Sequence, residues 1–160
     1  MKNEIPNCNP FGKKCEEFCD HRTKIVLKDR KGKSQFLVNN PNHYQVCCLL
    51  IDGCLIESQE EEKTDFLLLK CPEKDDDKTS AAYFVELKGS NLIKAVRQIN
   101  NSLNILLPKL AEYSIINGRI VTTRIDKIDL GHTEYRALEK RLKKLNGTLD
   151  KKSILMEENI

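Results

Sequence analysis

Asp65, Glu86, Leu87 and Lys88 have the residue types and the spacing of a divalent-metal site. Asp65 heads the apolar run Phe66-Leu67-Leu68-Leu69, and Glu86-Leu87-Lys88 closes a second run that begins at Ala81-Ala82-Tyr83-Phe84. Both runs are short, rich in β-formers and bounded by polar residues, so each predicts a strand. Side chains alternate along a strand, which sends Glu86 and Lys88 to one face and Leu87 to the other. Charges on an otherwise apolar strand are costly to bury unless something pairs with them. If the two strands pair, Asp65 supplies a second carboxylate beside Glu86. Two carboxylates and the Leu87 carbonyl oxygen make a hard oxygen donor set suited to Mg²⁺, with Mn²⁺ as a substitute. An adjacent lysine can orient or deprotonate an attacking water. The plain structural alternative is an edge strand with a solvent-facing Glu-Lys pair.

Asp65 followed by Glu86-Leu87-Lys88 resembles the PD-(D/E)xK nuclease superfamily, also called restriction-endonuclease-like. The resemblance covers residues 47–110 by motif and the remainder by topology. Position 64 is Thr where the family often has Pro, a residue that ligates nothing. The resemblance implies a mixed β-sheet flanked by helices in an α/β/α core, and a Mg²⁺-dependent endonuclease that hydrolyses phosphodiester bonds. In that scheme Asp65, Glu86 and the Leu87 carbonyl hold the metal, which polarises the phosphate and acidifies a water that Lys88 positions. Gln98, with Lys94 second, would face the site from the following helix, and Glu16 or Glu17 would add an acid from an N-terminal helix. The implied partner is nucleic acid, DNA ahead of RNA, with a homodimer or a place in a larger complex as the implied assembly. The rival expectation is a module that keeps this fold and binds nucleic acid or protein without chemistry.

A chain of 160 residues fits one domain, here an arm and hairpin over 1–45 and a nuclease-like core over 46–156. No apolar run approaches the roughly 20 residues of a membrane span, and none resembles a signal peptide. The seven cysteines are an odd number in a chain too long to need stapling, so thiols in a reducing cytoplasm are expected rather than a disulfide framework. The net charge of +3 does not by itself suggest nucleic acid, but its distribution is uneven. Residues 57–77 hold nine acids against three lysines, while 11–33 and 127–152 each hold eight basic residues against four acids. An acidic centre between basic flanks suits a metal site with phosphate-gripping margins, and equally suits ordinary solvated surface.

The elements that must position these residues follow from periodicity. Residues 1–12 read as a loose arm. Lys13 to Asp20 predicts a short helix with Cys15 and Cys19 one turn apart. With Cys8 and His21 it offers a Cys₃His set that Zn²⁺ could accept, although the paired C-x2-C spacing is missing. Thr23–Asp29 and Ser34–Asn39 predict a hairpin around Arg30-Lys31-Gly32-Lys33, whose basic tip could reach a phosphate backbone. Val46 to Ile51 predicts a buried strand ending at Asp52-Gly53, where Asp52 serves the turn or adds an acid near the metal. Asp75-Asp76-Asp77 reads as a solvated turn. Leu92, Ile93, Val96, Ile99, Leu103 and Leu106 form a helical stripe with Ser90 as N-cap and a stop at Pro108. Gly118–Ile128 predicts a strand, Thr133–Asn146 a second helix with Gly147 as its C-cap, and Thr148–Met156 a last strand or tail.

Overall fold

The computed structural model describes residues 8–73, 77–87, 89–124 and 132–160. A six-stranded mixed sheet is built from β1 (Glu16–Asp20), β4 (Val46–Leu50), β5 (Phe66–Lys70), β6 (Ala81–Glu86), β7 (Ile115–Thr122) and β8 (Leu149–Ser153), adjacent in that order. The pairs β1–β4, β4–β5 and β5–β6 are antiparallel, whereas β6–β7 and β7–β8 are parallel. The switch to parallel pairing occurs where helix α1 (Leu92–Leu106) makes the crossover from β6 to β7. Helix α2 (Thr133–Lys144) makes the next crossover, from β7 to β8. A second sheet contains β2 (Lys24–Lys28), β3 (Gln35–Asn39) and β9 (Leu155–Asn159), the last two parallel.

The α/β class, the mixed sheet with its helices and the N-terminal hairpin all match the sequence expectation. Both helices pack on one face of the large sheet, where Leu92, Val96, Ile99, Leu138 and Leu142 meet Leu49, Leu69 and Phe84. The other face is covered by the small sheet, with Ile25, Phe36, Val38 and Met156 against Cys48, Leu68 and Val85. Central strands buried on both faces explain why Phe66–Leu69 and Ala81–Val85 read as unbroken apolar runs.

Several boundaries differ from the sequence reading, each for a tertiary reason. Residues 16–20 form a strand rather than a helix, because the edge of β4 offers a backbone ladder that sets Cys19 opposite Cys47. Glu16 and Glu17 therefore lie on no helix, and Glu16 accepts a hydrogen bond from the Asn9 side chain at 2.9 Å. The cap of α1 is Asn91, whose side chain accepts from the Lys94 amide, one residue after the expected Ser90. Strand β7 begins at Ile115, so Gly118 is interior to it, and the expected stretch beyond 124 lies outside the described residues. After α2 the left-handed position belongs to Asn146 (φ 62°), while Gly147 is needed because a side chain there would collide with the Ile116 carbonyl. The C-terminal segment is two strands, and the chain changes sheets at Ile154 (φ 70°).

The cysteines also depart from expectation. Disulfides join Cys8–Cys71, Cys15–Cys54 and Cys19–Cys47, leaving Cys48 as a thiol whose pKa burial pushes up to about 12. Partners separated by 63, 39 and 28 residues carry no local spacing signal. The expected Cys8-Cys15-Cys19-His21 ligand set is not assembled, since Cys15 pairs with Cys54 and the His21 ring bonds the His43 carbonyl at 2.8 Å. Among the described residues no helix is long and apolar enough to cross a membrane.

Candidate active site

The β5–β6 register determines which acids share an end of the sheet. The ladder ends at the pair Phe66–Val85, and Asp65 and Glu86 are the next residues at that same end of the two strands. Glu86 follows the Phe84 face, the one covered by α1. The arrangement is cemented by the Leu87 amide, which donates to Asp65 Oδ2 at 2.9 Å. Two of the proposed oxygen donors thus converge at one end of the sheet, and the third candidate, the Leu87 carbonyl, belongs to the residue that Asp65 grips. The neighbouring strand pins the same corner, with the Thr123 amide donating to the Gly89 carbonyl at 3.1 Å. Lys88 lies outside the described residues.

Asp65 is half-buried at the mouth of a cleft of about 500 Å³, whereas Glu86 is fully buried and does not line it. The hairpin tip forms one wall through Lys28, Arg30 and Lys31, and Asp52, Asp65 and Thr123 lie opposite. The tip is shaped by Asp29, which accepts from the Lys31 amide at 3.2 Å and donates its own amide to the Ser34 carbonyl at 3.0 Å. A side chain at Gly32 would displace the Asp29 carboxylate that shapes this tip. The fold therefore brings the basic hairpin to the acidic corner, two features separated by more than thirty residues in the sequence.

The approach to Asp65 is braced from α1. Gln98 Nε2 donates to the Lys63 carbonyl at 3.1 Å, so this side chain supports the backbone two residues before Asp65 rather than lining the cleft. Thr64 is buried, and its amide and hydroxyl both donate to Ser102 Oγ, at 3.0 and 2.8 Å. Lys94 sits in the first turn of α1, where its amide is held by Asn91 Oδ1 at 3.0 Å, and it does not line the cleft. Asp52, read from the sequence chiefly as a turn residue, lines the cleft and pairs with the buried Lys63 ammonium at 3.6 Å. The cue for Asp52 was its place at the end of a strand adjacent to the Asp65 strand. Lys63 had no such cue, because nothing local marks a lysine that will be buried.

The donor chemistry fits a hard divalent cation: carboxylates from facing strands, one of them in full burial, beside positive charge able to meet an anionic ligand. Comparison with family models, with curated proteins and with solved structures finds no match.

Proposed function

We propose that the protein is a metal-dependent nuclease that hydrolyses phosphodiester bonds, with DNA as the substrate. The observation that carries this reading is that Asp65 and Glu86 lie at the same end of paired strands, with Asp65 lining a cleft that also holds the basic hairpin tip. Arg30 and Lys31 would neutralise backbone phosphates and set the strand across the cleft mouth. Asp65, held by the Leu87 amide, and Glu86 would hold Mg²⁺ or Mn²⁺, together with the Leu87 carbonyl. A bound divalent ion there supplies Lewis-acid polarisation of the phosphate and lowers the pKa of water. Lys88 is assigned the role of positioning that water from its place in the sequence alone. Gln98 and Thr64 act through the backbone that carries Asp65, as positioning residues.

A reading without chemistry, as a nucleic-acid- or protein-binding module, is favoured by one observation: Glu86 is 0 % exposed and stands behind the cleft rather than in it. Both readings accept a second copy of the chain or a larger assembly. The compartment that goes with DNA cleavage is the cytoplasm, and the three disulfides pull towards an oxidising one. The deciding experiment is supercoiled-plasmid nicking in EDTA, Mg²⁺ and Mn²⁺, with thermal melting of wild type and Glu86→Ala alongside. Nicking that needs the metal and disappears in a folded Glu86→Ala establishes the nuclease. A metal-insensitive melting curve without cleavage replaces it with the binding module.

A further inference from the structure

At the opposite end of β5 from Asp65, four cysteine sulfurs from distant parts of the chain converge. Cys8, Cys19, Cys47 and Cys71 have Sγ atoms all within 4.8 Å of one another. Cys8 precedes the sheet, Cys19 is on β1, Cys47 on β4 and Cys71 directly after β5. We propose that these four form a tetrathiolate Zn²⁺ site when reduced, and that the Cys8–Cys71 and Cys19–Cys47 bridges are its metal-free, oxidised form.

The distances between sulfurs of different bridges carry the argument. Cys8 Sγ is 3.5 Å from Cys47 Sγ, and Cys47 Sγ is 3.8 Å from Cys71 Sγ. A tetrahedral zinc thiolate centre, with Zn–S near 2.3 Å, has sulfur–sulfur edges of about 3.8 Å. Two bridges that serve only as staples have no reason to lie against each other, and Cys15–Cys54 belongs to no such group among the described residues. An all-sulfur tetrahedral donor set selects a soft or borderline ion such as Zn²⁺ over Mg²⁺.

The surroundings suit a thiolate centre. Gln45 Nε2 donates to Cys19 Sγ at 3.5 Å, the kind of outer interaction that orients a metal ligand. Cys47 and Cys71 are buried while Cys8 and Cys19 are half-buried, which leaves an entry route on one side. The segment bearing Cys8 is held in place by Tyr113, whose hydroxyl donates to the Cys8 carbonyl at 2.8 Å. β5 separates Cys71 from Asp65 by roughly 20 Å, so the site is structural and independent of any cleavage chemistry. It would clamp the N-terminal segment and the edge strand β1 onto the centre of the sheet.

Interconversion balances with a peroxide as oxidant. Two thiolates, one hydrogen peroxide and two protons give one disulfide and two waters, with two electrons passing from sulfur to the cleaved O–O bond. Two such reactions form both bridges and release Zn²⁺.

The test uses the full chain, reduced with a phosphine without oxygen and titrated with Zn²⁺ and with Co²⁺. One metal per chain is expected, with Co²⁺ showing the strong visible bands of tetrahedral thiolate coordination. Cys8→Ser and Cys19→Ser, which alter half-buried positions, should lower Zn²⁺ affinity by more than the roughly 100-fold that an outer ligand partner is worth. Cys48→Ser and Cys54→Ser should bind as wild type. Peroxide should release the zinc while four thiols are consumed. A reduced, folded protein that binds no Zn²⁺, or that binds it undiminished in both Cys8→Ser and Cys19→Ser, overturns the proposal.

Discussion

At the scale of single residues, burial and partners separate reactive groups from inert ones. Asp65 combines partial exposure with a backbone amide donor that fixes its orientation. Its replacement by Asn keeps an acceptor for that amide while removing the charge. Asp65→Asn is therefore expected to melt within a few degrees of wild type and to lose metal-dependent plasmid nicking, by roughly 100-fold or more in a gel assay. Cys48 is the opposite case. Its thiol is fully buried and held almost entirely protonated at neutral pH by that burial, so it is a poor nucleophile. Iodoacetamide should leave Cys48 unmodified in the folded protein and alkylate it in denaturant, as read by peptide mass spectrometry. Gly118 is required by close approach: a Cβ would stand 2.9 Å from Leu149 Cδ1 and 3.1 Å from Leu142 Cδ1. Gly118→Ala should destabilise by about 1–3 kcal/mol in urea melts, because the buried Leu142 and Leu149 side chains must repack.

At the scale of elements, the hairpin β2–β3 divides its work between its strands and its tip. The strands bury Ile25, Leu27, Phe36 and Val38 against the large sheet, while the tip carries exposed Arg30 and Lys31 to the cleft. Replacing both tip residues with Ala should therefore leave stability within about 0.5 kcal/mol, since exposed charges add little to folding. The same change should weaken DNA binding and reduce the slope of log K against log salt by about 1 for each phosphate no longer neutralised. Fluorescence anisotropy over a salt series checks this, and an unchanged slope would remove the tip from the nucleic-acid interface. Helix α1 was the most legible element, since its apolar stripe coincides with the buried Leu92, Val96, Ile99, Leu103 and Leu106. Strand β1 was the least legible: its polar, cysteine-bearing sequence acquires strand geometry only from the edge of β4.

At the scale of the whole molecule, the two sheets are joined by apolar packing and by a buried ion pair. Arg119 on β7 is 5 % exposed and grips Glu158 on β9 with two hydrogen bonds, of 2.6 and 2.9 Å. It also donates to the Gly118 and Thr148 carbonyls, both at 2.9 Å. Desolvation opposes the buried guanidinium's charge, but the Glu158 carboxylate outweighs it and holds the pKa above the ordinary arginine value. Removing Glu158 leaves the buried guanidinium with only the exposed Asp150 carboxylate, 3.7 Å away, so Glu158→Ala should cost about 3 kcal/mol by chemical denaturation. The double replacement Arg119→Met with Glu158→Leu should recover much of that loss, because the desolvation cost disappears with the charges.

What the sequence by itself determined was local: alternating or unbroken apolar runs for β2 to β6, the 3.6-residue stripes of α1 and α2, the turn at Arg30–Lys33, and Asp65 at the head of one strand with Glu86 near the end of the next. Each rests on side chains a few positions apart, so the pattern is written in consecutive residues. Tertiary structure alone decided the rest. It turned 16–20 into an edge strand, sent β8 and β9 into different sheets, set Asp52 and the hairpin tip around one cleft, and gathered Cys8, Cys19, Cys47 and Cys71. Those outcomes depend on which strand edges and apolar faces remain open once the central strands have paired. That is a property of the assembled sheet, and no window of sequence contains it.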